Sequence, residues 1–126
     1  TREFDTAAGA LIDDLIDRGL RDSTLVVMMG EFGRTPEILG QGPPGRNHWT
    51  KSWSLSFGGC GVRPGVAVGS TNEDGTAVKD RPVTVPDLFA TFYTLLGIDP
   101  RTELEYEGRP VPLTENGKGT PIAEVL

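Results

Sequence analysis

The sequence predicts an α/β fold built around a parallel sheet. Residues 24–29 read TLVVMM, a continuous apolar run rich in β-branched side chains, and such a run is typical of a strand buried on both faces. A helical pattern precedes this run after a short turn, and a second helical pattern covers residues 85–97. Because a helix, a tight turn and a buried strand make up the repeating unit of a parallel sheet, these observations favour that fold class.

The composition is that of one globular domain spanning residues 1–126, of which 37% are hydrophobic and 24% charged. The net charge of −6 argues against a nucleic-acid partner or an anionic membrane surface, since both favour basic patches. No apolar run approaches the roughly 18 residues of a membrane span. The chain begins directly in a helical pattern without an initiator methionine, which indicates a piece cut from a longer polypeptide.

The first helix is predicted at residues 5–20. Asp5 or Thr6 is suited to cap its start, and Gly19 is suited to the left-handed position that ends many helices. Acidic side chains occupy the side expected to face solvent. The apolar side chains that share the opposite face are Ala8, Leu11, Ile12, Leu15 and Ile16.

Residues 30–50 form a long predicted loop, because glycines and prolines recur throughout them, Pro43 included. Irregular segments of this length are uncommon in compact domains and often carry function. Residues 52–57 then alternate polar and apolar side chains, which predicts a strand with one buried face.

The second half is predicted to contain short strands at residues 66–68 and 76–78, separated by a tight turn at 72–75. The helix at 85–97 has Thr84 as its cap, Pro86 in its first turn and Gly97 at its end. Residues 110–113 are predicted as an edge strand, where prolines are tolerated, and 116–119 as a turn.

Two side chains of the long loop suit a metal ion. Glu31 directly follows the apolar strand, and His48 is the only histidine of the chain. Carboxylate oxygens and imidazole nitrogens are both ligands for zinc or a similar divalent ion, although two ligands do not complete a site. The alternative is that Glu31 pairs with Arg34 while His48 packs against Trp49.

Arg34 has two equally weighted roles. Its planar guanidinium is suited to clamp a phosphate or sulfate group, and it is equally suited to hold the loop by donating to carbonyl oxygens. Lys51, Trp49 and Trp53 could line a pocket, whereas tryptophans beside a strand more commonly belong to a core. Cys60 has no basic neighbour along the chain that would activate it as a nucleophile.

Three motifs resemble the C-terminal part of the DUF1501 family of sulfatase-like proteins, within the alkaline phosphatase superfamily. They are LVVMMGEFGRTP, GRNHW and DRPVTVPDLFATFYTLLGID, and the resemblance extends over residues 4–126. It implies that the chain is the C-terminal portion of an alkaline phosphatase-like α/β/α sandwich with a mixed, mainly parallel sheet.

The resemblance also implies a metal-dependent hydrolase of sulfate or phosphate esters. It assigns Glu31 and His48 as ligands of a divalent ion (zinc, manganese or calcium), while Arg34 and Lys51 would stabilise the anion. Phe32 stands where related enzymes carry a metal-binding histidine, so a two-metal site is not expected. The alternative is a catalytically inactive protein that serves as a binding or structural module.

The implied partners follow from the same resemblance. The substrate would be a small anionic ester or a sulfated glycan, and the missing N-terminal part of the chain would supply the nucleophile. No nucleic acid and no membrane span are expected. Export to the periplasm or secretion is implied for a bacterial member of the family.

Overall fold

The computed structural model describes residues 2–40, 42 and 44–126, and these contain two α-helices and eight short strands. Three short 3-10 turns, Arg21–Ser23, Glu115–Gly117 and Ala123–Val125, complete the regular structure of this part. The helices are α1 (Arg2–Asp17) and α2 (Val85–Leu95), and the strands are β1 (Val26–Met28), β2 (Gly33–Arg34), β3 (His48–Trp49), β4 (Ser56–Gly58), β5 (Ser70–Thr71), β6 (Val78–Asp80), β7 (Glu103–Tyr106) and β8 (Arg109–Pro112).

The strands form four separate antiparallel pairs, β1–β4, β2–β3, β5–β6 and β7–β8. The predicted parallel sheet, and with it the alkaline phosphatase-like α/β/α sandwich, is therefore wrong. Parallel pairing requires a crossover connection of about a dozen residues or more, usually a helix. The chain between β1 and β4 contains no helix and folds back on itself instead, which leaves antiparallel pairing as the outcome.

The predicted strand at residues 24–29 is present at Val26–Met28, but its environment differs from the expectation. Val26 lies opposite Gly58 and Met28 lies opposite Ser56, and all three residues of β1 are half-buried. Only β4 pairs with β1 among the described strands, so the other edge of β1 has no ladder partner. The prediction that both faces of this strand are buried is wrong, because none of the three residues of β1 is fully buried.

Helix α1 begins at Arg2 and ends at Asp17, both earlier than predicted, and the predicted glycine, Gly19, follows its end. Gly19 has a φ of +67°, and its N–H donates to the carbonyl of Ile16 at 3.0 Å while that of Leu20 donates to Leu15 at 2.8 Å. These bonds satisfy the last carbonyls of the helix. No residue of α1 is buried.

Helix α2 has the predicted cap. The Thr84 hydroxyl accepts from the N–H of Asp87 at 3.3 Å, and an Asp87 carboxylate oxygen accepts from the N–H of Thr84 at 3.0 Å. This reciprocal arrangement is a capping box, and Pro86 occupies the first turn. Gly97, with a φ of +75°, follows the end of the helix as predicted.

The core lies between α2 and the C-terminal segment. The Thr91 hydroxyl is fully buried, donates to the Asp87 carbonyl at 2.7 Å and accepts from the Ile122 N–H at 2.9 Å. This one side chain therefore joins the helix to the returning chain. The buried apolar side chains are Leu88, Ala90, Ile122 and Val125.

The remaining strand predictions have mixed outcomes. The turn at 72–75 and the edge strand near 110–113 are confirmed by the β5–β6 connection and by β8. Residues 66–68 are not a strand, and β7 was not predicted. Gln41 and Pro43, within the predicted loop, lie outside the described residues. The part of the chain that the structure describes has two α-helices, α1 and α2. Neither helix is long and apolar enough to cross a membrane.

Candidate functional site

The predicted functional loop is an antiparallel hairpin. Strands β2 and β3 pair with Gly33 opposite Trp49 and Arg34 opposite His48. The pairing continues toward the tip, because the Thr35 N–H donates to the Asn47 carbonyl at 3.0 Å. Along the chain, the β2–β3 pair lies between β1 and β4, which pair with each other. The pairing of β2 with β3 brings Arg34, with its guanidinium, and His48, with its imidazole, to neighbouring positions.

The hairpin is locally basic in an acidic chain. Its positively charged side chains are Arg34, Arg46 and Lys51, against Glu31 and Glu37, whereas the whole chain carries a net charge of −6. We call residues 31–40 and 44–51 the cationic hairpin. A positive surface of this kind attracts anionic ligands through the summed field of its charges.

Gly33 explains why the hairpin can form so close to the following segment. A side chain at this position would collide with the carbonyl oxygen of Ser52 and would lie 3.1 Å from that of Trp49. The absence of a Cβ atom therefore allows β2 to pack directly on the backbone that leaves β3.

The two arginines of the hairpin hold its backbone. One nitrogen of the Arg34 guanidinium donates to the Arg46 carbonyl at 3.3 Å, and Arg46 donates to the carbonyls of Thr35 and Pro36 at 2.9 and 2.7 Å. The structural role proposed for Arg34 is therefore seen. A guanidinium has five N–H donors, so each arginine retains donors for an anion.

His48 packs on an aromatic neighbour, and that neighbour is Phe32 and not Trp49. The two ring centroids are 3.9 Å apart with an interplanar angle of 29°, and the guanidinium carbon of Arg34 lies 5.4 Å from the Phe32 centroid. Stacking occupies a face of the imidazole and leaves its nitrogens at the ring edge. Within the described structure neither of these nitrogens has a hydrogen-bond partner.

Glu31 is exposed and does not pair with Arg34 among the described residues, contrary to the alternative drawn from the sequence. Its carboxylate and the His48 imidazole have the donor chemistry of a zinc or manganese site. No group of three potential ligands occurs in residues 2–40, 42 and 44–126, so this part of the chain offers an incomplete set.

Lys51 and Trp49 form the base of the hairpin. The Lys51 ammonium lies 5.3 Å from the centroid of the Trp49 ring, and the indole N–H of Trp49 donates to the Thr76 carbonyl at 2.8 Å. The buried Ser52 hydroxyl donates to the Gly75 carbonyl at 2.6 Å. Trp49 is half-buried and anchors the hairpin, whereas Trp53 is 37% exposed.

The anchor itself is the turn that follows β5. The Asn72 side-chain oxygen accepts from the N–H groups of Thr76 and Ala77 at 2.8 and 3.1 Å, and its amide donates to the Thr76 hydroxyl at 2.9 Å. Sequence reasoning identified this turn but not its contact with the hairpin, because residues far apart in sequence carry the contact.

Arg46 was also missed as a candidate. Its position two residues before His48, inside the GRNHW motif, is the signal that could have identified it. Its contacts to Thr35 and Pro36 close the hairpin, and its remaining donors add to those of Arg34.

Comparison with known proteins places the chain in a family. A family model described as "Protein of unknown function (DUF1501)" matches residues 1–126. Comparisons with curated proteins and with solved structures give no match. The resemblance found in the three motifs is thereby confirmed at the level of this family. Because the match covers residues 1–126, the chain belongs to the DUF1501 family.

Proposed function

We propose that the chain contributes the anion-binding and metal-binding residues of a sulfatase-like, metal-dependent hydrolase of sulfate or phosphate esters. One observation carries the proposal: the register of β2 and β3 sets Arg34 opposite His48, with Lys51 at the base of the same hairpin. The backbone therefore holds the guanidinium-bearing Arg34 beside a potential metal ligand, His48. Metal-dependent hydrolysis of an anionic ester uses both kinds of group.

The chain's own residues would bind and orient the ester. The guanidinium of Arg34 has planar paired donors that match two oxygens of a sulfate or phosphate group. The Lys51 ammonium, which lies over the Trp49 ring, would add a positive charge at the base of the hairpin. Phe32 limits the orientation of the His48 ring through their stacking contact.

The metal is part of the proposal because Glu31 and His48 offer suitable donor atoms. When bound, a divalent ion would polarise the ester and lower the pKa of the attacking group. Two donors do not fill a coordination sphere. The proposal therefore includes further ligands and a nucleophile from another part of a longer polypeptide, which makes that part a partner of the segment.

The metal is tested by titrating the chain with zinc, manganese and calcium in a calorimeter. We expect weak binding of one of these ions, abolished in His48→Ala and weakened in Glu31→Gln. Glu37→Gln is the matched control, because Glu37 is an exposed carboxylate of the same hairpin. Equal binding by wild type and His48→Ala would contradict the ligand role.

The anion is tested separately with inorganic sulfate and inorganic phosphate. We expect Arg34→Gln and Lys51→Gln each to weaken binding, with Arg109→Gln in β8 as an exposed cation outside the hairpin. Loss of affinity to the same extent in Arg109→Gln would mean that net charge alone attracts the anion. That result would contradict the role of the cationic hairpin as the anion-binding site.

A non-catalytic binding or structural module is the second candidate, because Arg34 donates to the Arg46 carbonyl and so holds the loop. Under this alternative, Arg34→Gln lowers the free energy of unfolding without changing the affinity for sulfate. Arg34→Lys separates the two candidates. A lysine keeps the charge but loses the planar fork of donors. If the protein is a hydrolase, Arg34→Lys should therefore lower its affinity for sulfate. If it is a binding or structural module, the variant should lower only the free energy of unfolding.

A further inference from the structure

A cleft with a volume of about 1090 Å³ extends from the base of the cationic hairpin to helix α2 in the described structure. Two consecutive stretches of chain, residues 51–59 and 62–71, form its long walls, and one side of α1 contributes to the rim. Ligand pockets in proteins commonly enclose roughly 300–1,000 Å³. The cleft is thus large enough for an extended small molecule.

Valine side chains make the far wall of this cleft apolar. Val66, Val78 and Val85 all line it, and 39%, 43% and 47% of their surfaces are exposed. Val68 and Val83 extend the same wall. Exposed apolar side chains that share a concave surface gain free energy when an apolar group covers them.

The charged side chains that line the cleft are all cations, although the chain as a whole is acidic. They are Arg21, Lys51, Arg63 and Arg81, and no carboxylate residue lines the cleft within the described structure.

Two of these cations already have partners in the protein. Arg81 pairs with Glu124 at 2.7 Å, and Arg63 donates to the Leu126 carbonyl at 2.8 Å. Arg21 and Lys51 make no ion pair among the described residues. The charge of the cleft is therefore complementary to an anionic group.

We propose that the cleft binds the organic part of the ester, and that this part is an apolar alkyl chain. The alkyl chain would lie along the valine wall. Its sulfate or phosphate group would lie at Lys51, a residue of the cationic hairpin that also lines the cleft. This inference rests on the proposed function and narrows its substrate class to esters of apolar alcohols.

The experiment measures the affinity of the 126-residue chain for hexyl, octyl and decyl sulfate and for the matching phosphates. Below their micelle concentrations, each added methylene that enters the cleft should tighten binding by up to about fourfold. Inorganic sulfate and uncharged 1-octanol are the two reference ligands. Octyl sulfate should bind more tightly than either, and the sulfate and phosphate series together identify the preferred anion.

Two variants test the valine wall. Val66→Asp places a carboxylate in the cleft and should weaken octyl sulfate binding at least tenfold. Val85→Ser makes a smaller change at the first residue of α2, and it replaces Val66→Asp should that variant lose its circular-dichroism signature. The matched control is Val111→Asp, which alters a 44% exposed valine in β8 outside the cleft.

One further variant tests the charge. Arg21→Gln should weaken octyl sulfate binding severalfold and leave 1-octanol binding unchanged, because Arg21 lines the cleft but belongs to no part of the hairpin.

Three results would overturn the inference: an affinity independent of alkyl length, equal binding of octyl sulfate and 1-octanol, or equal losses in Val66→Asp and Val111→Asp. Failure of the proposed function has a different signature. In that case inorganic sulfate does not bind and Arg34→Gln has no effect on any ester, while the dependence on alkyl length persists.

Discussion

Helices α1 and α2 both carry apolar side chains on one face, yet only α2 buries any of them. In α2, Leu88 is 5% exposed and Ala90 is fully buried. In α1, Leu11 and Ile16 are each 50% exposed. Both helices are amphipathic, although α2 is the more apolar of the two, so an amphipathic pattern alone does not decide whether an apolar face becomes part of a core.

The difference arises from the chain that returns over α2. The N–H of Thr120 donates to the Asp87 carboxylate at 2.8 Å, and the N–H of Ile122 donates to the Thr91 hydroxyl at 2.9 Å. These bonds hold the C-terminal segment against the helix and seat the Ile122 side chain in the core. Helix α1 buries no residue, so an apolar face needs a covering segment before it contributes stability.

The largest effect should come from truncating the core side chain on the returning segment. Ile122→Ala should lower the free energy of unfolding by about 2–5 kcal/mol, since it leaves a cavity in a buried site. Ile16→Ala in α1 removes the same atoms from a side chain that is 50% exposed and should have a much smaller effect. Denaturant unfolding of both variants provides the measurement, and equal losses would contradict the contrast between the helices.

Removal of the cap of α2 should have the next largest effect. Asp87→Ala deletes the acceptor of the Thr84 and Thr120 N–H groups and should cost about 1–2 kcal/mol of unfolding free energy. Burial favours a higher pKa for Asp87, but the hydrogen bonds from Thr120 and Thr84 outweigh it and lower the pKa. Asp14→Ala is the control, because Asp14 bonds only to Arg18 on the surface of α1. An equally large loss of unfolding free energy in Asp14→Ala would show that the effect of Asp87→Ala does not come from the cap.

Gly9, within α1, and Gly19, just after its end, should respond in opposite directions. Gly9 lies within the helix with free space around its Cα, so Gly9→Ala should slow hydrogen exchange of the α1 amides by roughly two- to fivefold. Gly19 has a φ of +67°, and an alanine there should cost about 1–2 kcal/mol locally and speed exchange at the end of α1. Neither change should alter exchange in α2, and a shift in α2 would show that the helices are coupled.

The smallest effect concerns the Arg81–Glu124 ion pair beside α2. The side-chain hydrogen bond from Arg81 lowers the pKa of Glu124 from 4.5 to about 2. A lowered pKa in the folded state means that the pair stabilises the protein above pH 4.5 and loses this effect as the pH falls toward 2. Because both side chains are more than 40% exposed, the contribution should be small.

Thermal unfolding from pH 6 to pH 2 measures this contribution. The wild type should lose more stability than Glu124→Gln over the acid part of the range, so the two curves converge near pH 2. Glu103→Gln, at an exposed position of β7, should follow the wild-type curve. Parallel curves for the wild type and Glu124→Gln would rule out a role of the pair in acid stability.

Part of the candidate site was predictable because it depends on chemical type and position along the chain. Glu31, Arg34, His48 and Lys51 were identified as the groups suited to bind a metal and an anion, and the pairing of Arg34 with His48 shows two of them side by side. The stacking of Phe32 on His48 was not predictable, since a phenylalanine in a loop gives no sign of its partner. The same holds for the bond between Trp49 and the Thr76 carbonyl.

The sequence by itself determined the local events of this fold. Thr84 and Asp87 cap α2, Gly19 and Gly97 end the helices, and Asn72 organises a turn, because each depends on atoms within a few residues. Only the tertiary structure decided the direction of strand pairing and the burial of each helix. Both depend on which distant segment returns beside an element, as β4 does for β1 and Ile122 does for α2. An apolar run indicates that a segment will be covered by another part of the chain. It does not specify which segment covers it or whether a pairing strand runs parallel or antiparallel to it.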